Sequence, residues 1–367
     1  MPPASRSPTE GPPGAVGFGK RLNSPLVRLG ITLPYVDLPR EPVLEFVRAA
    51  DRLGYDTVWV PEAYGWDAFT VLTDLACHTE RIRLATGIVN VFSRSPALIA
   101  QSAASLDRIS GGRFVLGLGT SGHQVIEGWH GVPFQRGVRR LRETMDIVRL
   151  VLRRERLVYE GEIFRLDMGL KLITHPVRDR IPIYLATLTP AGIALAGEAA
   201  DGWLPVFFSP QHFTGLIRPQ LERGAARAGR SLAELSICVS QPVVVTDDLD
   251  AGRDAVRPHL ALYIGGMGSR QRNYYHQLFC RYGFESEARR IQDLYLSRRR
   301  AEAEAAVTAE MIDLVTIIGP LEECRRRLAE LGRLGVDEVA IGLQVPGGGP
   351  ADVLRALEGL APVGATR

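Results

Sequence analysis

Lysine is almost absent from this chain: of its 44 basic residues only Lys20 and Lys171 are lysines. That skew reads as nucleotide-composition bias rather than chemistry. The formal net charge is only +3, with 23% charged residues, so the strongly basic field of a nucleic-acid binder is missing. Cysteine is scarce as well. Cys77, Cys238, Cys280 and Cys324 stand far apart, with no C-x-x-C pair and no partnered histidines, which argues against both a disulfide framework and a metal site. No apolar run reaches the roughly 18 residues a membrane span needs. Met1–Gly19 is rich in Pro, Gly and Ser and lacks the apolar core of a signal peptide. The expectation is a soluble cytoplasmic protein, with a disordered tail over residues 1–25 and a single domain over 26–367.

What the sequence does contain is alternation. β-Branched and aliphatic runs occur at Val27–Leu33, Thr57–Val60, Ile82–Val89, Phe114–Leu118, Ile181–Leu185, Ile237–Val245 and Glu338–Leu343. Helical spacing separates them: Val43, Phe46, Val47 and Ala50 share one face, as do Ile99, Ala103 and Leu106, and Val138, Leu141, Met145, Val148 and Leu152. Ser95-Pro96 supplies a cap and a first helical residue. Strands alternating with helices imply parallel pairing through crossovers. With a short run at Gly202–Leu204 the strands number eight, which predicts an α/β fold closed as a (β/α)8 TIM-type barrel. Leu157–Tyr159 and Ile163–Phe164, with Gly161 between them, predict a small hairpin after the fourth unit. The alternation fails between Tyr263 and Val307. There an insertion rich in arginine and aromatics, including Arg270, Arg272, Tyr274, Tyr275 and Arg281, precedes the last helix and strand. It reads either as a lid over the barrel mouth or as a solvated helical excursion.

Gly117-Leu118-Gly119-Thr120-Ser121-Gly122 spells G-x-G-x-x-G directly after a strand, the fingerprint of a Rossmann dinucleotide site. That site also requires a helix opening at the third glycine and an acidic residue about 20 positions on, at the end of the next strand. Here that distance lands at Arg142-Glu143, inside a helical pattern, and Gly128-Trp129-His130-Gly131 interrupts the helix that should begin at Gly122. The Rossmann reading is set aside.

Four segments, in order, carry a different resemblance: Gly54–Tyr64, Ala85–Pro96, Leu106–Gly119 with its S-G-G-R-F junction, and Ile183–Ala186 followed by Pro190 and the A-D-G-W sequence at Ala200–Trp203. Together they resemble the luciferase-like monooxygenase superfamily, above all its coenzyme F420-dependent branch of methylene-tetrahydromethanopterin reductase-like enzymes. The resemblance implies a TIM-type barrel with a deazaflavin or flavin at the C-terminal mouth of the strands. It implies hydride transfer between F420 and a small organic substrate, an FMN-dependent monooxygenase being the alternative and a flavin-binding barrel without turnover a third. It also implies a homodimer.

Glu62, Asn90, Ser121 and Thr187 lie just beyond strand ends, where a barrel places its chemistry, although each also reads as an ordinary cap or loop residue. The resemblance puts Glu62 beside the cofactor ring. Ala63 stands where sugar-phosphate-oxidising relatives carry a histidine, which argues against that activity. Gly87-Ile88 matches a bulge that in the family holds a non-proline cis peptide against the ring. In the loop after the fourth strand, Thr120, Ser121 and Gly122 expose backbone N–H groups, and Gln124 and Glu127 offer side-chain contacts. His123 adds a titratable imidazole, so Glu62, His123 and Glu127 are the candidate catalytic residues. Ala186-Thr187-Leu188-Thr189-Pro190 combines threonine donors with a proline-started helix, a suitable phosphate site.

Overall fold

The computed structural model describes residues 27–362, so the tail expected over residues 1–25 lies outside the described residues. Eight parallel strands follow the expected runs: β1 (Arg28–Thr32), β2 (Thr57–Val60), β3 (Arg83–Thr86, resuming at Val89–Asn90), β4 (Phe114–Gly119), β5 (Ile183–Ala186), β6 (Gly202–Trp203), β7 (Ser236–Val245) and β8 (Glu338–Gln344). Each pairs with its predecessor. β8 pairs with β1, with Arg28 opposite Glu338 and Ile31 opposite Ile341, so the sheet closes into a barrel. Seen from the sequence, closure follows from strands that are apolar on both faces. Trp59, Ala85, Val115, Tyr184, Leu204, Cys238 and Ala340 fill the interior, and the other faces pack under the helices.

The helices obey the expected spacing. Arg40–Arg52 buries Val43, Leu44, Val47 and Ala50. Pro96–Ile109 starts as predicted, with the Ser95 hydroxyl accepting from the Leu98 N–H at 3.1 Å. Gly137–Leu152 buries Leu141, Met145, Val148 and Leu152. The hairpin forms slightly later than its sequence suggested, pairing Tyr159–Glu160 with Arg165–Leu166. The cause is Glu143, whose buried carboxylate accepts from the backbone N–H groups of Glu162, Ile163 and Phe164 at 3.0–3.1 Å.

The stretch 263–307 is helical. It leaves the helix Leu249–Ala261 through a π-helical turn, Leu262–Gly266, then forms helices Tyr274–Arg281, Glu285–Leu296 and Arg300–Ala305. Leu278, Phe279, Ile291 and Ala303 bury against Phe207, Val256 and Leu260, so the insertion is anchored by an apolar core. One strand has no counterpart among the expected runs. Ile317–Gly319 pairs with Val243–Val245, outside the barrel. No helix among the described residues is long and apolar enough to cross a membrane.

The N-terminal ends of the strands are closed by an ion cluster. Glu338, fully buried, accepts from Trp59 Nε1 at 3.0 Å and from Arg83 Nη2 at 2.7 Å. Arg83 also pairs with Asp56, and Arg28 binds Asp56 at 3.1 Å while lying 3.7 Å from Glu338. A Cβ on Gly30 would come within 2.9 Å of Glu338 Oε1, so glycine leaves the carboxylate its space.

Candidate active site

At the opposite, C-terminal mouth, the third strand is broken. Leu84 and Ala85 pair with Phe114 and Val115, whereas Val89 and Asn90 pair with Leu118 and Gly119. Three residues, Thr86 to Ile88, therefore stand against two, a bulge. The Gly87–Ile88 peptide bond is cis. Thr86 fills the interrupted ladder, its hydroxyl accepting from the Gly117 N–H and donating to the Gly117 carbonyl, both at 2.8 Å. A Cβ at Gly117 would meet the Thr86 carbonyl oxygen at 2.0 Å, and one at Gly119 would meet Ile88 Cδ1 at 3.0 Å. Glycine at both positions thus lets the half-buried Ile88 lie across β4 at the mouth. Thr86 was not among the residues singled out from the sequence, because its role depends on the bulge register.

Glu62 is held by an arginine and a backbone N–H. Arg94 donates to both of its oxygens, at 2.6 and 2.9 Å, and the Ala68 N–H donates to Oε2 at 3.0 Å. Arg94 also pairs with Asp67, the N-cap of helix Ala68–His78. The role of Glu62 here is to tie the loop after β2 to the loop after β3. Arg94 lies within the quoted Ala85–Pro96 segment, but nothing in its spacing names Glu62 as its partner.

In the loop after β4, Ser121 has φ +57°, and His123, half-buried, precedes a π-helical turn, Gln124–Trp129. The break at Gly128-Trp129 that set the Rossmann reading aside is the end of this turn. The Thr120 hydroxyl donates to the Ser121 carbonyl at 3.3 Å. Gln124 turns to the insertion, donating to the Gly268 carbonyl at 3.3 Å, and a Cβ on Gly122 would face the Met267 carbonyl at 3.7 Å. Glu127 is exposed and accepts from the Phe134 N–H at 3.1 Å. Among the described residues no hydrogen bond joins Glu62, His123 and Glu127 to one another.

After β5 (ending at Ala186), Thr189 caps the helix Pro190–Ala199, accepting from the Gly192 N–H at 3.2 Å. The Thr187 carbonyl accepts from Trp203 Nε1 at 3.0 Å, and the Leu188 carbonyl from Arg281 Nη2 at 2.6 Å. Arg281 is thus the insertion arginine that reaches the barrel, while Arg270 pairs with Asp293 within the insertion. Burial lowers the Arg281 pKa.

Several buried polar atoms near the mouth have no protein partner among the described residues: Thr187 Oγ1, Arg281 Nη1, Asn90 Nδ2 and Ser93 Oγ. Asn90 Oδ1 is committed to the N–H groups of Phe92 and Ser93, which leaves its amide nitrogen as the free end. Buried polar atoms are normally satisfied; these four are sealed from solvent as the chain stands, and others, such as Thr144 Oγ1 and Gln292 Nε2, lie elsewhere among the described residues. An apolar platform at Ile88 with peripheral donors at Asn90, Thr187 and Arg281 suits a flat ring system carrying a phosphate.

Residues 29–338 match the family described as luciferase-like monooxygenase. A Mycobacterium tuberculosis protein, provisionally named a coenzyme F420-dependent oxidoreductase, is 39% identical over 329 residues, covering 86% of this chain and 94% of its own. The 5,10-methylenetetrahydromethanopterin reductase of Archaeoglobus fulgidus is 30% identical over 303 residues, 81% of this chain and 88% of the reductase. The solved coenzyme F420-dependent tetrahydromethanopterin reductase of Methanopyrus kandleri matches with a TM-score of 0.78 at 25% identity, over 92% of this chain and 97% of that one. With its barrel, its third-strand bulge and this match, the chain belongs to the luciferase-like monooxygenase family.

Proposed function

We propose that the chain is a coenzyme F420-dependent oxidoreductase, transferring a hydride between the deazaflavin and a small organic substrate. The observation that carries this reading is the third-strand bulge at the mouth, which lays Ile88 over Gly117 and Gly119. The names of the mycobacterial and archaeal relatives support F420 over FMN. When bound, F420 supplies a reversible two-electron hydride carrier.

The protein's own part is positioning. Ile88, held over Gly117 and Gly119, would give the ring an apolar support. Thr187, Arg281 and the N-terminus of helix Pro190–Ala199 receive the phosphate. The Glu62–Arg94 pair fixes the loops after β2 and β3. His123, half-buried in the loop after β4, is the candidate to pass a proton to or from the substrate. The insertion, touching the loop after β4 through Gln124 and the loop after β5 through Arg281, shields the site from water.

Titration of F420 fluorescence with the full chain tests this reading. The expected result is micromolar binding that weakens as salt rises, with FMN at least about tenfold weaker. Tight FMN binding with oxygen-dependent turnover and no response to F420 would assign the mouth to a flavin monooxygenase instead.

A further inference from the structure

Two pairs of tyrosines stand at the mouth and take no part in holding the cofactor. The first joins the loops after β1 and β2. The Tyr64 N–H donates to the Tyr35 hydroxyl at 2.5 Å, and the two rings meet edge to face with centroids 5.6 Å apart. A Cβ on Gly65 would come within 3.3 Å of the Tyr35 ring, so glycine gives that ring its seat. The second pair comes from the insertion. Tyr263 and Tyr275 cross edge to face at 4.6 Å, and Asn273 Nδ2 donates to the Tyr263 carbonyl at 2.9 Å. Phe207, in the loop after β6, backs both rings, 5.2 Å from Tyr263 and 5.8 Å from Tyr275. Its backbone is left-handed, at φ +53°, a conformation bulky residues rarely hold, and the Tyr282 hydroxyl donates to its carbonyl at 3.1 Å. Strain of this kind gathers at functional sites.

The two pairs lie within electrostatic reach of one another. Burial pushes the Tyr263 phenol up to about 12, and the phenols of Tyr64 and Tyr35 add to the rise. Burial raises Tyr275 as well, with Tyr263 and Tyr274 adding to it. Among the described residues, the only ionisable groups bearing on these two phenols are other tyrosines. Glu62, which bears on Tyr35, is itself held by Arg94. The surroundings are therefore aromatic and without a free charge. Tyr263 and Tyr275 are half-buried, and the hydroxyls of Tyr64, Tyr263 and Tyr275 have no hydrogen-bond partner among the described residues.

Such a setting selects by chemistry. A neutral ring gains contact area and edge-to-face geometry from the tyrosine faces. A neutral phenol offers its O–H to an oxygen or nitrogen acceptor. A carboxylate or phosphate would give up its water there without meeting a cation. We propose, resting on the oxidoreductase reading above, that these tyrosines form the substrate subsite. It takes an uncharged, ring-bearing compound whose acceptor atom receives the Tyr263 hydroxyl.

Saturation-transfer NMR on the full chain, with and without F420, tests the subsite with three probes of similar shape: acetophenone, 4-acetylbenzoate and ethylbenzene. Acetophenone should bind, and 4-acetylbenzoate at least about tenfold more weakly. Tyr263→Phe should weaken acetophenone about fivefold, the loss of one neutral hydrogen bond, and leave ethylbenzene unchanged. Tyr64→Ala should weaken acetophenone and ethylbenzene alike, since it removes a ring face. F420 affinity and melting temperature should hold in the Tyr263→Phe chain. Equal binding of the ketone and the carboxylate would overturn the proposal. So would equal losses for acetophenone and ethylbenzene on Tyr263→Phe, or no acetophenone binding with or without F420. Selective acetophenone binding by a chain that ignores F420 would support the ligand class and overturn the cofactor reading instead.

Discussion

The two ends of this barrel treat polar groups in opposite ways. At the N-terminal ends of the strands, Arg28, Asp56, Arg83, Glu338 and the Trp59 indole satisfy one another inside a small buried cluster. At the C-terminal ends, Asn90, Ser93, Thr187 and Arg281 keep buried atoms without a partner among the described residues. Each such atom costs about 1–3 kcal/mol if nothing meets it. The same strands run through both ends, so strand chemistry alone does not explain the difference. One end is closed within the protein, and on the proposed reading the other is completed by the cofactor, the division expected of a parallel barrel.

The sharpest way to break that division is at the floor. Glu338→Ala leaves Arg83 buried with only Asp56, and should cost about 3–5 kcal/mol in chemical denaturation. Cofactor affinity of the protein that remains folded should be unchanged. Gly117→Ala acts where the mouth meets the sheet. Its Cβ, 2.0 Å from the Thr86 carbonyl, forces backbone against backbone. About 1–3 kcal/mol of stability should be lost, and F420 affinity should fall with it, because the bulge that carries Ile88 must shift.

The smallest of these effects concerns acid. Burial alone would raise the Asp56 carboxyl, but Arg83 and Arg28 hold it below the ordinary aspartate range. A group lowered in the folded state contributes stability that is complete above its ordinary pKa and is lost as the pH falls through the folded value. Asp56→Asn should therefore flatten the acid limb of unfolding free energy against pH, between about pH 5 and pH 2. An unaltered limb would mean that other carboxylates carry it.

Legibility in the sequence followed the range of the interaction. Seven barrel strands were visible as β-branched and aliphatic runs, the eighth as the short run Gly202–Leu204, and Ser95-Pro96 announced its helix, because these depend on neighbours in the chain. Ile317–Gly319 was not, since three residues carry too little pattern and the strand exists only by pairing with β7. Glu338 read as one more strand residue. Its partners Arg83 and Trp59 are 255 and 279 positions away. The bulge at Gly87-Ile88 was legible only through the family resemblance, and Thr86 was missed because its hydroxyl acts across the register shift that the bulge creates. Glu62 was located at the mouth, but Arg94, which takes both its oxygens, was not foreseen. At Thr187-Leu188-Thr189 the reverse holds: the local motif was visible, whereas the arrival of Arg281 required the fold.

The division between the two ends is tested most directly by measuring F420 affinity and unfolding free energy together in the Thr187→Val variant. Valine keeps the shape of threonine and removes the open hydroxyl. F420 affinity should fall by about 1–3 kcal/mol, the loss of a charge-assisted hydrogen bond, while the unfolding free energy stays within about 0.5 kcal/mol of the wild-type value. Unchanged affinity, or a loss of stability as large as the loss of binding, would contradict the assignment of the mouth to the cofactor.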